Sequence, residues 1–154
     1  MQPEVKKYAW IRMQNWIFYG IVAAICFGIN TVIYKIASQK GNFSAANGSL
    51  IFGVGIMIAF LIYYLMKPGF IFEWKSSSLL IIAGIIWAIG FLSIAIAISQ
   101  KGNVSQLAPI YNTNTIVAVF LGIILLKEVP DMSQMIRIII GALMIVGGAI
   151  LVSI

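Results

Sequence analysis

Apolar and polar positions in this chain fall into blocks rather than alternating. Five apolar runs cover approximately residues 16–36, 48–66, 78–99, 104–126 and 135–152, with polar residues gathered between them. A helix rises ~1.5 Å per residue, so ~20 apolar residues cross a ~30 Å hydrocarbon core. Only helices and closed barrels bond every backbone polar group within lipid. Runs this long without strict alternation are helices rather than barrel strands. The pattern predicts an all-α integral membrane protein, a bundle of five transmembrane helices formed by residues 16–154. Residues 1–15 form a separate interfacial N-terminal segment, with Tyr8, Trp10 and the neighbouring Trp16 at headgroup level and Lys6, Lys7 and Arg12 on the cytoplasmic side. A cleaved signal peptide does not fit: the first run is too long and four more follow it.

The breaks between runs carry stop and start signals. Ser-Gln-Lys-Gly-Asn occurs twice, at residues 38–42 and 99–103, each time after an odd-numbered span and so on the same side of the membrane. Lys40 and Lys101 suit the negative end of a helix dipole. Gly41 and Gly102 suit a left-handed helix cap. Asn42 and Asn103, or Ser44 and Ser105, can cap the next helix. Two readings stand: a turn used twice by chance, or hairpins repeated in structure. Lys67-Pro68-Gly69 is a strong breaker, after which Phe70, Ile71, Phe72 and Trp74 are expected to dip into the interface. In the last turn, Pro130 is suited to opening span five.

Small residues recur on the spans: Gly55/Ala59, Gly84/Ala88 and Ala118/Gly122 four apart, Gly141/Gly148 seven apart. Such spacing lets helices approach closely in lipid, so at least two of these faces are expected to be packing seams rather than ordinary membrane-helix composition.

Composition narrows the function. The chain is 62% apolar and 9% charged, against ~25% charged in soluble domains. Net charge is +6, yet the basic residues lie scattered at helix ends, which speaks against nucleic acid as a partner. They read as topology signals instead. Lys6, Lys7, Arg12, Lys67, Lys75, Lys127 and Arg137 fall on one side and Lys35, Lys40 and Lys101 on the other. That bias predicts a cytoplasmic N-terminus and an outside C-terminus in the plasma membrane. With one cysteine (Cys26) and no histidine, no disulfide framework, metal site or cofactor is expected. No nucleophile–base pair or phosphate-cradling loop is visible, so an enzyme is not expected.

The chemistry that remains is polar groups at mid-depth. Span four carries Tyr111, Asn112, Thr113, Asn114 and Thr115, ~11–17 Å along a helix that starts near Val104. Amides there are expensive unless they face protein or water. Pro109 frees the Ser105 carbonyl, and a kink is expected there. A kinked helix with polar groups at mid-depth is what a transporter site needs. Tyr111, Asn112 and Thr115 are the cavity candidates; interhelical hydrogen bonding without a ligand is the alternative. Asn114 shares a face with Ala118 and Gly122 and reads as helix–helix glue. Span one adds Asn30 and Thr31 near its centre and Tyr34 and Lys35 further along. Lys35 either snorkels outward, offers a cation to an anionic substrate group, or closes the outer mouth. Trp87, mid-span, either floors a pocket or fills the bundle. The four carboxylates, Glu4, Glu73, Glu128 and Asp131, all lie at span ends or in loops, so proton coupling through a central acid is not supported. Glu128 reads as an ion pair or interfacial anchor.

Several motifs are similar to those of the EamA-like domain of the drug/metabolite transporter superfamily. Leu107-Ala-Pro-Ile-Tyr-Asn-Thr-Asn-Thr leads into Leu121-Gly-Ile-Ile-Leu-Leu-Lys-Glu128, followed by the Gly-rich run from Ile139 to Gly148. Phe27-Gly-Ile-Asn-Thr-Val-Ile-Tyr-Lys35 resembles the family's first helix, with Phe27 at the family's Trp. The family's span-four Pro falls near Thr113, whereas this chain has Pro109. The resemblance implies half of a ten-span fold, as in the small five-span bacterial and archaeal branch. The four-span multidrug branch fits less well, because its mid-membrane Glu in span one has no counterpart. A half-fold implies a homodimer, antiparallel or parallel, or pairing with a second half-transporter.

The expected function is secondary transport of a small polar or zwitterionic metabolite by alternating access, with the site between spans one, three and four and lipids as surroundings. A non-transporting membrane subunit that pairs with another half-transporter is the alternative.

Overall fold

The computed structural model describes residues 3–128 and 131–153, with side chains from Trp16 onward. Helix α1 spans Pro3–Lys40, α2 Ala45–Met66, α3 Trp74–Ser99, α4 Val104–Tyr111, α5 Asn114–Leu125 and α6 Met132–Ser153. No strand occurs among the described residues. Five stretches are long and apolar enough to cross a membrane: Trp16–Lys40, Ala45–Met66, Trp74–Ser99, Val104–Leu125 and Met132–Ser153. The chain is therefore a five-span membrane protein, with one span broken in two. The expected headgroup placement of Tyr8, Trp10, Lys6, Lys7 and Arg12 concerns side chains outside the described residues, and so does the opening role expected of Pro130.

Side chains with local acceptors set the helix starts. Ser44 caps α2, its Oγ accepting the Asn47 N–H at 3.2 Å. Glu73 caps α3 by accepting from Lys75 N (3.2 Å) and Ser76 N (2.7 Å). This places Trp74, expected in the loop, at the first position of the helix. Asp131 precedes α6 and accepts from Gln134 N and Ser133 Oγ, both at 2.8 Å. The Ser76 hydroxyl and N–H, then Lys75 N–H, hold the Glu73 carboxyl below its usual range. The Gln134 N–H, then the Ser133 hydroxyl, do the same for Asp131. Each bond favours the charged form of the acceptor.

The repeated pentapeptide ends its helices in an unexpected way. The left-handed residues are Asn42 (φ 49°) and Lys101 (φ 69°), and no glycine has positive φ. Both turns are Schellman caps, but in different registers. After α1, Phe43 N–H bonds to Ser38 O (3.0 Å) and Asn42 N–H to Gln39 O (3.4 Å). After α3, Gly102 N–H bonds to Ala97 O (2.9 Å) and Lys101 N–H to Ile98 O (3.1 Å). The second turn thus closes two residues earlier in the same sequence. The next helix follows suit: Ser44 occupies the cap position before α2, but Asn103 occupies it before α4. The Asn103 side chain donates to Gln106 Oε1 at 3.2 Å and caps no backbone N–H.

α2 packs against α3, α6 packs against α4 and α5, and α1 touches α2, α3 and α4. The buried side chains sit at one end of the bundle, where the repeated turns lie: Thr31, Tyr34 and Ser38 of α1, Ala95 and Ile98 of α3, and Ala149 of α6. Phe52, Phe91, Val104 and Leu107 pack on that core. Toward the opposite end, residues 16–29 of α1 and 79–90 of α3 are exposed throughout. Lipid is as apolar as these side chains and imposes little cost for leaving them uncovered by protein.

The small-residue faces do not act as seams within the chain. A Cβ added at Gly55, Gly84, Gly141 or Gly148 would meet nothing within 4 Å. Gly122 differs: an added Cβ would lie 3.3 Å from Glu128 Oε2. Lys127 is left-handed (φ 55°) and Glu128 N–H bonds to Gly122 O at 3.2 Å. The end of α5 therefore folds the Glu128 side chain back over Gly122.

Candidate functional site

The break in span four lies at Asn112–Thr113, one turn beyond the expected position at Pro109. Pro109 sits inside α4, where it lacks an N–H, but the helix continues past it to Tyr111. The geometry changes where two threonines compete for backbone carbonyls. Thr113 Oγ1 donates to Ile110 O (2.7 Å) and Thr115 Oγ1 to Asn112 O (2.9 Å). The backbone there tightens to three-residue bonds: Thr113 N to Ile110 O, Thr115 N to Asn112 O and Ile116 N to Thr113 O.

This break forms one wall of a cleft of about 810 Å³. Tyr111, Asn112, Asn114 and Thr115 line that wall. The α1 wall carries Gly20, Ala24, Phe27 and Gly28, and the α6 wall carries Met144, Ile145 and Gly148. Asn112 and Asn114 are both exposed on the cleft, so their amide donors and acceptors are open to a ligand. Asn114, read from the sequence as helix glue, faces the opening. Among the described residues the lining holds no charged side chain.

One pair ties the cleft's α1 and α4 walls together. Thr31 Oγ1 donates to Phe27 O at 2.8 Å and lies 3.1 Å from Tyr111 Oη. A hydroxyl carries one proton, so Tyr111 donates to Thr31. One turn further along α1, Lys35 Nζ donates to Gly102 O at 3.0 Å. Thr31 and Lys35 share a helix face, so both ties run between α1 and the α3–α4–α5 segment. Lys35 is thus occupied by the second repeated turn.

The other sequence-selected residues lie elsewhere. Asn30 and Tyr34 line a separate, largely apolar groove of about 350 Å³ between α1 and α2. An added Cβ at Gly48 would sit 2.7 Å from Tyr34 Oη, so a larger residue there would displace the Tyr34 side chain. Trp87 belongs to neither opening. It stacks on Phe91 (centroids 5.6 Å apart, planes at 9°) and on Phe52 (6.4 Å, 24°). Phe52 and Phe91 stack at 4.3 Å, and Tyr34 meets both edge-on. The structure therefore brings Thr31, Tyr111, Asn112 and Thr115 together. It sets Asn30, Tyr34 and Trp87 apart from them, and α6 rather than α3 completes the cleft. A signal for the α1 wall exists: Gly20, Ala24 and Gly28 recur every four residues.

Five apolar spans, one of them divided at mid-length beside a largely apolar cleft with one uncharged polar wall, define a multi-pass helical membrane protein. The chain belongs to the EamA-like transporter family, whose family model matches residues 14–154. It is 30% identical over 142 residues to the uncharacterized protein MJ1333.1 of Methanocaldococcus jannaschii, a match covering 92% of this chain and 98% of the relative. No solved structure matches the chain significantly.

Proposed function

We propose that the protein is a secondary transporter of small polar metabolites, binding its solute in the cleft between α1, the α4–α5 break and α6. The observation that carries this reading is the set Tyr111, Asn112, Asn114 and Thr115 on a broken helix, facing an opening of about 810 Å³. Membrane polar groups are costly unless they meet protein, water or substrate, and broken helices are where transporters place their sites. The lining offers neutral hydrogen-bonding groups and no charge, which suits a polar or zwitterionic solute over a strongly ionic one.

The protein works as a dimer, because five spans leave the cleft open on one side and a second copy supplies the missing wall. The outward-facing glycines at Gly55, Gly84 and Gly141 provide faces for close helix approach between copies. The distribution of Lys and Arg across the span ends favours an N-terminus inside. Solute movement in proteoliposomes, followed across a panel of labelled metabolites, is the direct test. At least one solute is expected to move, and Asn112→Ala is expected to slow it. A folded, dimeric protein that moves nothing under any imposed gradient ends the proposal.

A further inference from the structure

The two copies of Ser-Gln-Lys-Gly-Asn show one sequence in two closing registers. The first copy continues its helix through Lys40 and puts Asn42 in the left-handed region. The second stops at Ser99 and puts Lys101 there. Asn is among the residues that tolerate this conformation, whereas Lys pays the clash of its Cβ with the backbone. Gly102 and Asn103, both better suited, stand next to Lys101 and are not used. The second turn is therefore held against its own local preference.

Two contacts hold it. Lys35 Nζ donates to Gly102 O at 3.0 Å. Val104, placed at the first position of α4 by this register, packs on the core of Tyr34, Ala95 and Ile98. The sequence is equipped for the other register as well. Ser99, Asn103, Val104 and Ser105 stand where Ser38, Asn42, Phe43 and Ser44 stand in the first copy.

We infer that the α3–α4 turn is a two-register switch latched by Lys35. In the second register α3 runs on through Lys101, Asn103 becomes left-handed, Val104 N–H bonds to Ser99 O and Ser105 caps a shortened α4. The shift is two residues, ~3 Å along the helix. It withdraws the Gly102 carbonyl from Lys35 and Val104 from the core, loosening the end of the bundle where α1 is tied to α4. That is the end the transport reading would have to open, but the test below reads the turn itself and not solute movement.

Gly102 lets the two registers be separated. In the observed one an added Cβ would lie 2.7 Å from the Ala97 carbonyl oxygen, which is helix backbone and cannot step aside. In the other, the glycine takes the place of Gly41, where the nearest atoms a Cβ would strike belong to the Phe43 side chain rather than to helix backbone, and the shorter Val104 stands there in this copy. Gly102→Ala thus penalises one register, Lys35→Met removes its latch, and Lys101→Gly relieves its strain. The experiment is NMR of the full chain in lipid nanodiscs with labelled Lys and Asn, since backbone carbon shifts distinguish left-handed from helical residues. In the wild type and in Lys101→Gly, Asn103 is expected to stay out of the left-handed region. In Gly102→Ala and in Lys35→Met, Asn103 is expected to become left-handed in most molecules, with Lys101 helical. The two substitutions act on different atoms, so failure of either variant to fold leaves the other as the test. Lys101 remaining left-handed in a folded variant, or neither residue becoming left-handed, overturns the inference.

Discussion

The two sides of α1 are built on different principles. Toward α2 and α3, Tyr34 meets Phe52 and Phe91 edge-on, Trp87 extends the stack, and Gly48 lets Tyr34 reach the α2 backbone. Toward α4, α5 and α6 the same helix offers glycine and alanine, and its ties are the Thr31–Tyr111 pair and the Lys35 bond to Gly102. In lipid no hydrophobic force drives helices together; packing and interhelical hydrogen bonds do. An aromatic interlock has one good arrangement, because displaced rings lose contact all along the seam. A pair of hydrogen bonds across an open cleft is lost and remade at small cost. One side of α1 is a frame, and the other is able to rearrange.

A matched pair of glycine substitutions should break or confirm that contrast most strongly. Gly48→Leu drives a side chain into Tyr34, and overpacking of this kind costs about 3 kcal/mol. Gly28→Leu enters open space, since a Cβ there meets nothing within 4 Å, and should change stability by no more than about 1 kcal/mol, the helix-propensity gain included. It fills the cleft, however, and is expected to stop solute movement. Equilibrium unfolding in mixed micelles measures the first difference and proteoliposome flux the second. Equal losses of stability at the two positions would erase the distinction between frame and cleft.

Tyr111→Phe tests the mobile side more gently. It removes the donor to Thr31 and keeps the ring. Interhelical hydrogen bonds in membranes average about 0.6 kcal/mol, so the stability change should be of that order. Thr31→Val should cost about the same, and the double variant should cost no more than either single one, since both remove one bond. Additive losses in that cycle would mean that the two hydroxyls serve separate partners.

These contrasts were only partly legible in the sequence. Long apolar runs state the five spans directly, because no other structure satisfies the backbone in lipid. The pentapeptide marks both turns, yet its register depends on residues outside the pentapeptide, Lys35 through its bond to Gly102 and Val104 through its packing on the core. Pro109 announces a disturbance in span four, but a proline removes one hydrogen bond and can be carried within a helix. The hydroxyls of Thr113 and Thr115, which take up the Ile110 and Asn112 carbonyls, lie where the backbone bonds tighten to three-residue spacing, one turn beyond the proline. Small-residue spacing shows that helices can approach without showing which neighbour approaches, so the faces of Gly55 and Gly84 look like seams until the fold turns them outward. Trp87 was singled out by its depth. Depth alone does not separate an aromatic seam from a cleft wall, whereas the amide of Asn112, with nothing apolar to gain, does point to the opening; Asn114 lines it too, although its shared face with Ala118 and Gly122 reads as helix glue.

The smallest effect expected is on acid stability, and it visits both sides, since Glu73 starts α3 of the frame and Asp131 starts α6 of the cleft. Both carboxyls are held below their ordinary pKa by the bonds that cap their helices. A group whose folded pKa is depressed contributes stability that is complete above its unfolded pKa and lost as pH falls through the folded value. The loss therefore belongs on the acid side of the usual carboxylate range, and none is expected near neutrality. Asp131→Asn keeps a capping oxygen but removes the titration, so it should leave neutral stability nearly unchanged and flatten the acid limb for α6. Amide hydrogen exchange along α3 and α6 between pH 6 and pH 3, with intrinsic rates corrected, reads the two helices separately. Because α3 is locked by the aromatic stack and α6 borders an opening, protonation should loosen the first turn of α6 more than that of α3. If α3 frays first, the aromatic interlock does not reach far enough along the helix to steady its start, and the frame is confined to the end that holds the repeated turns.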